Sequence, residues 1–166
     1  MIGWAAALWG CAADDEANRD ANAENERFRI WCGDHACAWT VEKGKVAPAP
    51  TWHRSAEGIG FLDDPTTISQ IIDVSGANCL VLSALGNVDT DAKLFFEIDF
   101  DNNDEVDDTE PSYDMGAIGW ETVYRETPVP EDVKTARIIF RKEGQGNATL
   151  AWADLSENNF CVAGGM

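Results

Sequence analysis

Residues 93–100 alternate with a period of two: Leu94, Phe96, Ile98 and Phe100 share one face, Lys93, Phe95, Glu97 and Asp99 the other. Only an extended chain puts every second side chain on the same side, so this run reads as a strand with one face in a core. Residues 136–141 repeat the pattern, with Ala136, Ile138 and Phe140 opposite Arg137, Ile139 and Arg141. Further apolar or alternating runs fall at Phe28–Trp31, Cys37–Glu42, Gly58–Leu62, Thr67–Val74, Cys79–Leu85, Gly119–Glu126 and Asn147–Leu155. Turn formers separate them at Lys43-Gly44, Pro48-Ala49-Pro50, Asp63-Asp64-Pro65, Ser75-Gly76, Gly86-Asn87 and Gly144-Gln145-Gly146. About eight short strands with no long helical period predict an all-β chain folded as an antiparallel β-sandwich.

The chain has 166 residues, 45% of them hydrophobic, which suits one domain with a sizeable core. Its 30 acids against 12 bases leave a formal charge of −18. That field repels polyphosphates and anionic membranes, so no nucleic-acid partner is expected. Cations and uncharged polymers such as glycans are the partners it tolerates.

The first ten residues are apolar and too short to cross a bilayer as a helix. Leu8-Trp9-Gly10-Cys11 resembles the bacterial lipoprotein signal, which implies lipidation of Cys11 and export to the cell envelope, at the outer membrane or cell surface. Residues 12–26 hold Ala, Asn, Asp and Glu with no large apolar side chain, a composition suited to a tether. The expected organisation is a signal segment at 1–10, an acidic tether at 11–26 and a β-sandwich domain at 27–162.

With Cys11 set aside, Cys32, Cys37, Cys79 and Cys161 remain, an even number in an exported domain. Of the three pairings, Cys32–Cys37 would bracket the turn Gly33-Asp34-His35-Ala36, and Cys79–Cys161 would tie a mid-chain strand to the C-terminus. The rival is zinc on Cys32, His35 and Cys37. It lacks a fourth ligand at zinc-like spacing.

The order of features is also similar to a known family. Trp39 is followed by Gly44, then GIGFLDDPTTISQIIDV, CLVLSAL, LFFEIDF, GWETVYRETPVPEDVKTARIIF and GNATLAWADLSE. This resembles the galactose-binding-like jelly roll, particularly the carbohydrate-binding modules joined to bacterial glycoside hydrolases. The resemblance rests on Ser69-Gln70 in an early strand, Trp120 ahead of Val129-Pro130, and Asp154 in the last strand. It implies a jelly-roll sandwich, core positions for Trp39 and Trp120, and a structural calcium near the first and last strands, with Asp154 as a ligand.

Residues 97–110 read EIDFDNNDEVDDTE. Asp99, Asp101, Asn103, Glu105, Asp107 and Glu110 occupy positions 1, 3, 5, 7, 9 and 12 of a calcium-loop pattern. Asp104 stands where the sharp turn wants Gly, and the entering segment is a strand, so this is no helix–loop–helix. The alternatives are a structural calcium site and a solvated hairpin tip.

Sugar rings stack on exposed aromatic planes. Trp52, beside His53 and Arg54 and after Pro48-Ala49-Pro50, has the loop-like setting for such a platform; Gln70 and Tyr113 are further candidate contacts. No nucleophile turn, phosphate loop or sheltered carboxylate pair points to catalysis. The sequence therefore predicts a monomeric, exported, non-catalytic module that binds carbohydrate. The alternative is a structural or protein-interaction module of the envelope with no sugar ligand.

Overall fold

The computed structural model describes residues 24–25, 27–49, 58–100, 102, 112–115, 119–158 and 161; at 112, 113, 119, 121 and 158 it describes the backbone alone. The strands are β1 (Thr40–Lys43), β2 (Val46–Pro48), β3 (Ile59–Phe61), β4 (Thr66–Asp73), β5 (Cys79–Val88), β6 (Ala92–Asp99), β7 (Ser112–Asp114), β8 (Gly119–Pro128), β9 (Thr135–Gly144) and β10 (Ala148–Asn158). They form two five-stranded antiparallel sheets, β1-β4-β9-β6-β7 and β2-β3-β10-β5-β8. This is the all-β sandwich that the alternation predicts.

The core lies between the sheets. Leu94, Phe96 and Ile98 of β6 and Ala136, Ile138 and Phe140 of β9 meet Leu80, Leu82 and Ala84 of β5 and Leu150, Ala153 and Leu155 of β10. Trp39 packs between Phe28 and Phe140, with ring centroids 5.4 and 5.7 Å away. Trp39 is thus the core residue expected. Trp120 is not: it sits opposite Asn87 on the outward side of β8 and is half-buried.

Two segments depart from the sequence reading. Residues 28–31 form no strand; a single bridge joins Trp31 to Ala36, and the Cys32–Cys37 disulfide closes the turn between them. Gly86-Asn87 is no turn, because β5 runs through it to Val88. Gly86 lies opposite Leu150, where β10 inserts Ala151 as a bulge, and a Cβ on Gly86 would sit 3.6 Å from Leu94.

The hairpin joining β1 to β2 does turn at Gly44. Its φ is +76°, and a Cβ there would meet the backbone of Pro65 and Thr66 at 2.8 and 2.9 Å, so the turn needs glycine twice over. Both favoured disulfides are present, with Cys79–Cys161 spanning 82 positions, so zinc on Cys32, His35 and Cys37 is excluded. Lys142 is the unexpected core residue. It is 1% exposed, and its Nζ donates to the Asp63 carbonyl at 2.9 Å.

Candidate functional site

The outward side of the first sheet is a hollow, not a flat wall. A groove of about 700 Å³ runs over it, lined by Glu24, Thr40, Glu42, Ser69, Ile71, Asp73, Asn102 and Arg137, among others. A second hollow of about 420 Å³ shares Glu42 and Arg137 and continues to Thr67, Glu97, Ile139 and Arg141. The register explains the sharing: Ile71, Arg137 and Asp99 form one cross-strand row, and Ser69, Ile139 and Glu97 the next.

The floor of the groove is charged and tightly bonded. Arg137 Nε donates to Glu42 at 2.9 Å, Nη2 donates to the same carboxylate, and Nη1 reaches Asp99 at 3.5 Å. Ser69 Oγ also donates to Glu42. Four residues further along β9, Arg141 Nε donates to both Glu97 oxygens at 3.2 Å, Nη2 donates to Glu97 at 2.5 Å, and Nη1 pairs with Glu143. The Arg141 guanidinium lies 4.5 Å over the Phe95 ring. Its bond to Glu97 holds Arg141 above its ordinary range, with the charge of Glu143 adding and burial opposing. Glu97 and Asp99 are buried although they point away from the core, because the arginines lie over them. Ile71 is the apolar exception, 65% exposed in the groove.

At the open end of the groove Asp73 accepts the Ser75 backbone N–H at 2.8 Å. Its carboxyl lies below the ordinary 3.8, first through a side-chain hydrogen bond with Ser75 and then through that N–H.

The sequence-derived candidates scatter. Trp52, His53 and Arg54 lie outside the described residues. Gln70 lines the groove, but its side chain is already tied down. It is 7% exposed and points inward, and its amide accepts the Glu24 N–H at 2.9 Å and donates to the carbonyls of Glu24 and Ala38. Glu24 and Asn25, expected in the tether, are thereby part of the fold. The Asn25 side chain also donates to the carbonyls of Ile30 and Cys37. The backbone of Tyr113 pairs with Phe96 in β7.

Of the calcium-loop set, Asp101, Asn103, Glu105, Asp107 and Glu110 lie outside the described residues, as does Cys11. Asp99 is described and has a different partner. Fully buried, it accepts the Asn102 N–H at 2.5 Å and faces Arg137. Asp154 lies on the outward side of the second sheet opposite Ser83, and no cluster of potential ligands among the described residues includes it. The one such cluster is Cys79, Glu126 and Cys161, whose sulfurs are joined to each other.

Sequence reasoning therefore missed Glu42, Asp73, Arg137 and Arg141 as groove residues. The signal was present: in a chain of charge −18, two arginines, four residues apart, stand opposite the core face of β9.

No family model and no curated protein matches the chain. Solved structures match its fold. A family 61 carbohydrate-binding module, solved with β-1,4-galactotriose, aligns with TM-score 0.60 at 18% identity over 83% of this chain and 99% of that one. A xylan-binding domain of family 22 aligns with TM-score 0.59 at 10% identity, covering 87% and 99%. The enzymatically active domain of tailspike protein 4 from bacteriophage CBA120 aligns with TM-score 0.64 at 12% identity, covering 83% of this chain and 21% of that one. The fold is thus the jelly-roll β-sandwich found in carbohydrate-binding modules.

Proposed function

We propose that the protein is a non-catalytic carbohydrate-binding module whose ligand lies along the outward face of the β1-β4-β9-β6-β7 sheet. One observation carries this reading: the groove floor is an open trough of hydroxyls and of carboxylates paired with guanidiniums, with one exposed apolar side chain, Ile71. An extended hydroxyl-rich chain can exchange many hydrogen bonds with such a floor while a ring face covers the isoleucine. The likeness in fold to modules solved with galactotriose and named for xylan supports the same reading. Catalysis is disfavoured because Glu42, Glu97 and Asp99 are each held in an ion pair with a guanidinium, an arrangement that ties the carboxylates down instead of presenting an acid and a base to a glycosidic bond.

Export is part of the proposal. Two disulfides are at home in an oxidising compartment, and lipidation at Cys11 would hold the module at the envelope. Metabolic labelling with a fatty acid, lost in Cys11→Ser, tests the anchor.

Affinity electrophoresis of the full chain in galactan and xylan gels tests binding. Retention that is lost in Ile71→Ala with an unchanged unfolding midpoint supports the reading, because an exposed position contributes little to folding. No retardation on any polysaccharide would leave the protein-interaction alternative standing.

A further inference from the structure

Two arginines on a groove floor would ordinarily mark a site for acidic sugars, since guanidinium groups bind carboxylates in pairs of hydrogen bonds. Here three of the five N–H groups of each guanidinium already point to carboxylates. Arg137 gives Nε and Nη2 to Glu42 and turns Nη1 to Asp99, while Arg141 gives Nε and Nη2 to Glu97 and Nη1 to Glu143. Four carboxylates thus surround two guanidiniums, and the lattice they form is net negative.

We infer that this groove, if the reading above holds, selects uncharged glycans and rejects uronic-acid and sulfated ones. A uronate could take a paired edge of the Arg137 guanidinium only by displacing Glu42 or Asp99. Asp99 has no solvent exposure, so stripping it of its guanidinium would strand a charge in a dry site. Displacing Glu97 from Arg141 carries the same penalty, as that carboxylate is 5% exposed. What the lattice leaves open is the carboxylates of Glu42 and Glu143, 24% and 50% exposed, whose lone pairs suit the O–H donors of neutral sugars; Lys43 lines the same hollow as a lone ammonium, outnumbered by the acids around it. Asp73 and Glu24 at the groove mouth, in a chain of charge −18, extend the repulsion to any approaching polyanion. The carboxylates are therefore the specificity-determining groups, and the arginines are their counter-ions.

Affinity electrophoresis of the full chain compares galactan and xylan with polygalacturonate, at low and at moderate salt. The expected result is retention on a neutral glycan that salt leaves unchanged, with polygalacturonate retarding the protein at least about tenfold less at low salt. Glu143 is half exposed, so Glu143→Ala should fold normally and free the Nη1 donor of Arg141; it should gain retention on polygalacturonate, and Glu42→Ala should do the same through Arg137. Wild-type retention on polygalacturonate at low salt, abolished by salt, would overturn the inference and leave sugar binding intact. Failure of both variants to gain uronate binding would also overturn it. Retention on nothing at all would sink the sugar-binding reading and this inference with it.

Discussion

Asp99 and Arg137 face each other across the β6–β9 ladder, and the guanidinium, 3.5 Å away, lies over a carboxylate that has no exposure to solvent. Removing the arginine leaves that charge buried with its main counter-ion gone. We expect Arg137→Ala to cost about 2–3 kcal/mol in chemical denaturation, and Asp99→Asn in the same chain to recover part of the loss. Equal losses in the single and double variants would refute the pairing as the source.

Gln70 acts as a clamp, with its amide holding both backbone groups of Glu24. Gln70→Leu should cost about 1–2 kcal/mol, since three backbone groups, two on Glu24 and one on Ala38, lose their partner. Hydrogen exchange should quicken at Glu24 before it changes in the β4–β9 ladder. Uniform acceleration throughout would argue for a global role instead.

The two disulfides should contribute unequally. In the chain-entropy picture the 82-position closure by Cys79–Cys161 is worth about 4.5 kcal/mol, and the 5-position closure by Cys32–Cys37 about 2 kcal/mol. Paired Cys→Ala variants, unfolded in urea side by side, test the order. A larger loss from the short loop would contradict it.

Asp73 predicts a pH effect of definite sign. Its folded value is held below 3.8, so its contribution is present above that pH and declines as pH falls through the folded value. The window is therefore acidic, below about pH 3.8, and stability near neutral pH is untouched by this group. An NMR titration should place the Asp73 carboxyl midpoint under 3.8, and Ser75→Ala should raise it. A midpoint at or above 3.8 in the wild-type chain would remove the effect.

Calcium at the stretch from Asp99 to Glu110 remains a proposal, and Asp99 would enter such a site already shared with Arg137. A weak, extracellular-grade Kd of ~10⁻⁴ M follows, so millimolar calcium should add only ~1.4 kcal/mol. Calorimetry with and without the ion decides. An unmoved midpoint would make the stretch a charged hairpin tip.

The period-two runs at 93–100 and 136–141 were enough, unaided, to determine the sandwich and its core face, because alternation is a local property of an extended chain. Cysteine number and placement likewise pointed to both bridges. The face proposed for binding was decided elsewhere. Alternation says that Glu97, Asp99, Arg137 and Arg141 leave the core, but not that β9 lies between β4 and β6 and brings Arg137 within reach of Glu42, 95 residues away. Only the pairing of distant strands turns outward charges into a buried lattice. The same holds for Gln70, which read as a ligand contact by its place in the chain and became a clamp once residues 24–39 folded back against β4, since which partner a side chain meets is set by packing across long sequence separations, not by its neighbours in the chain.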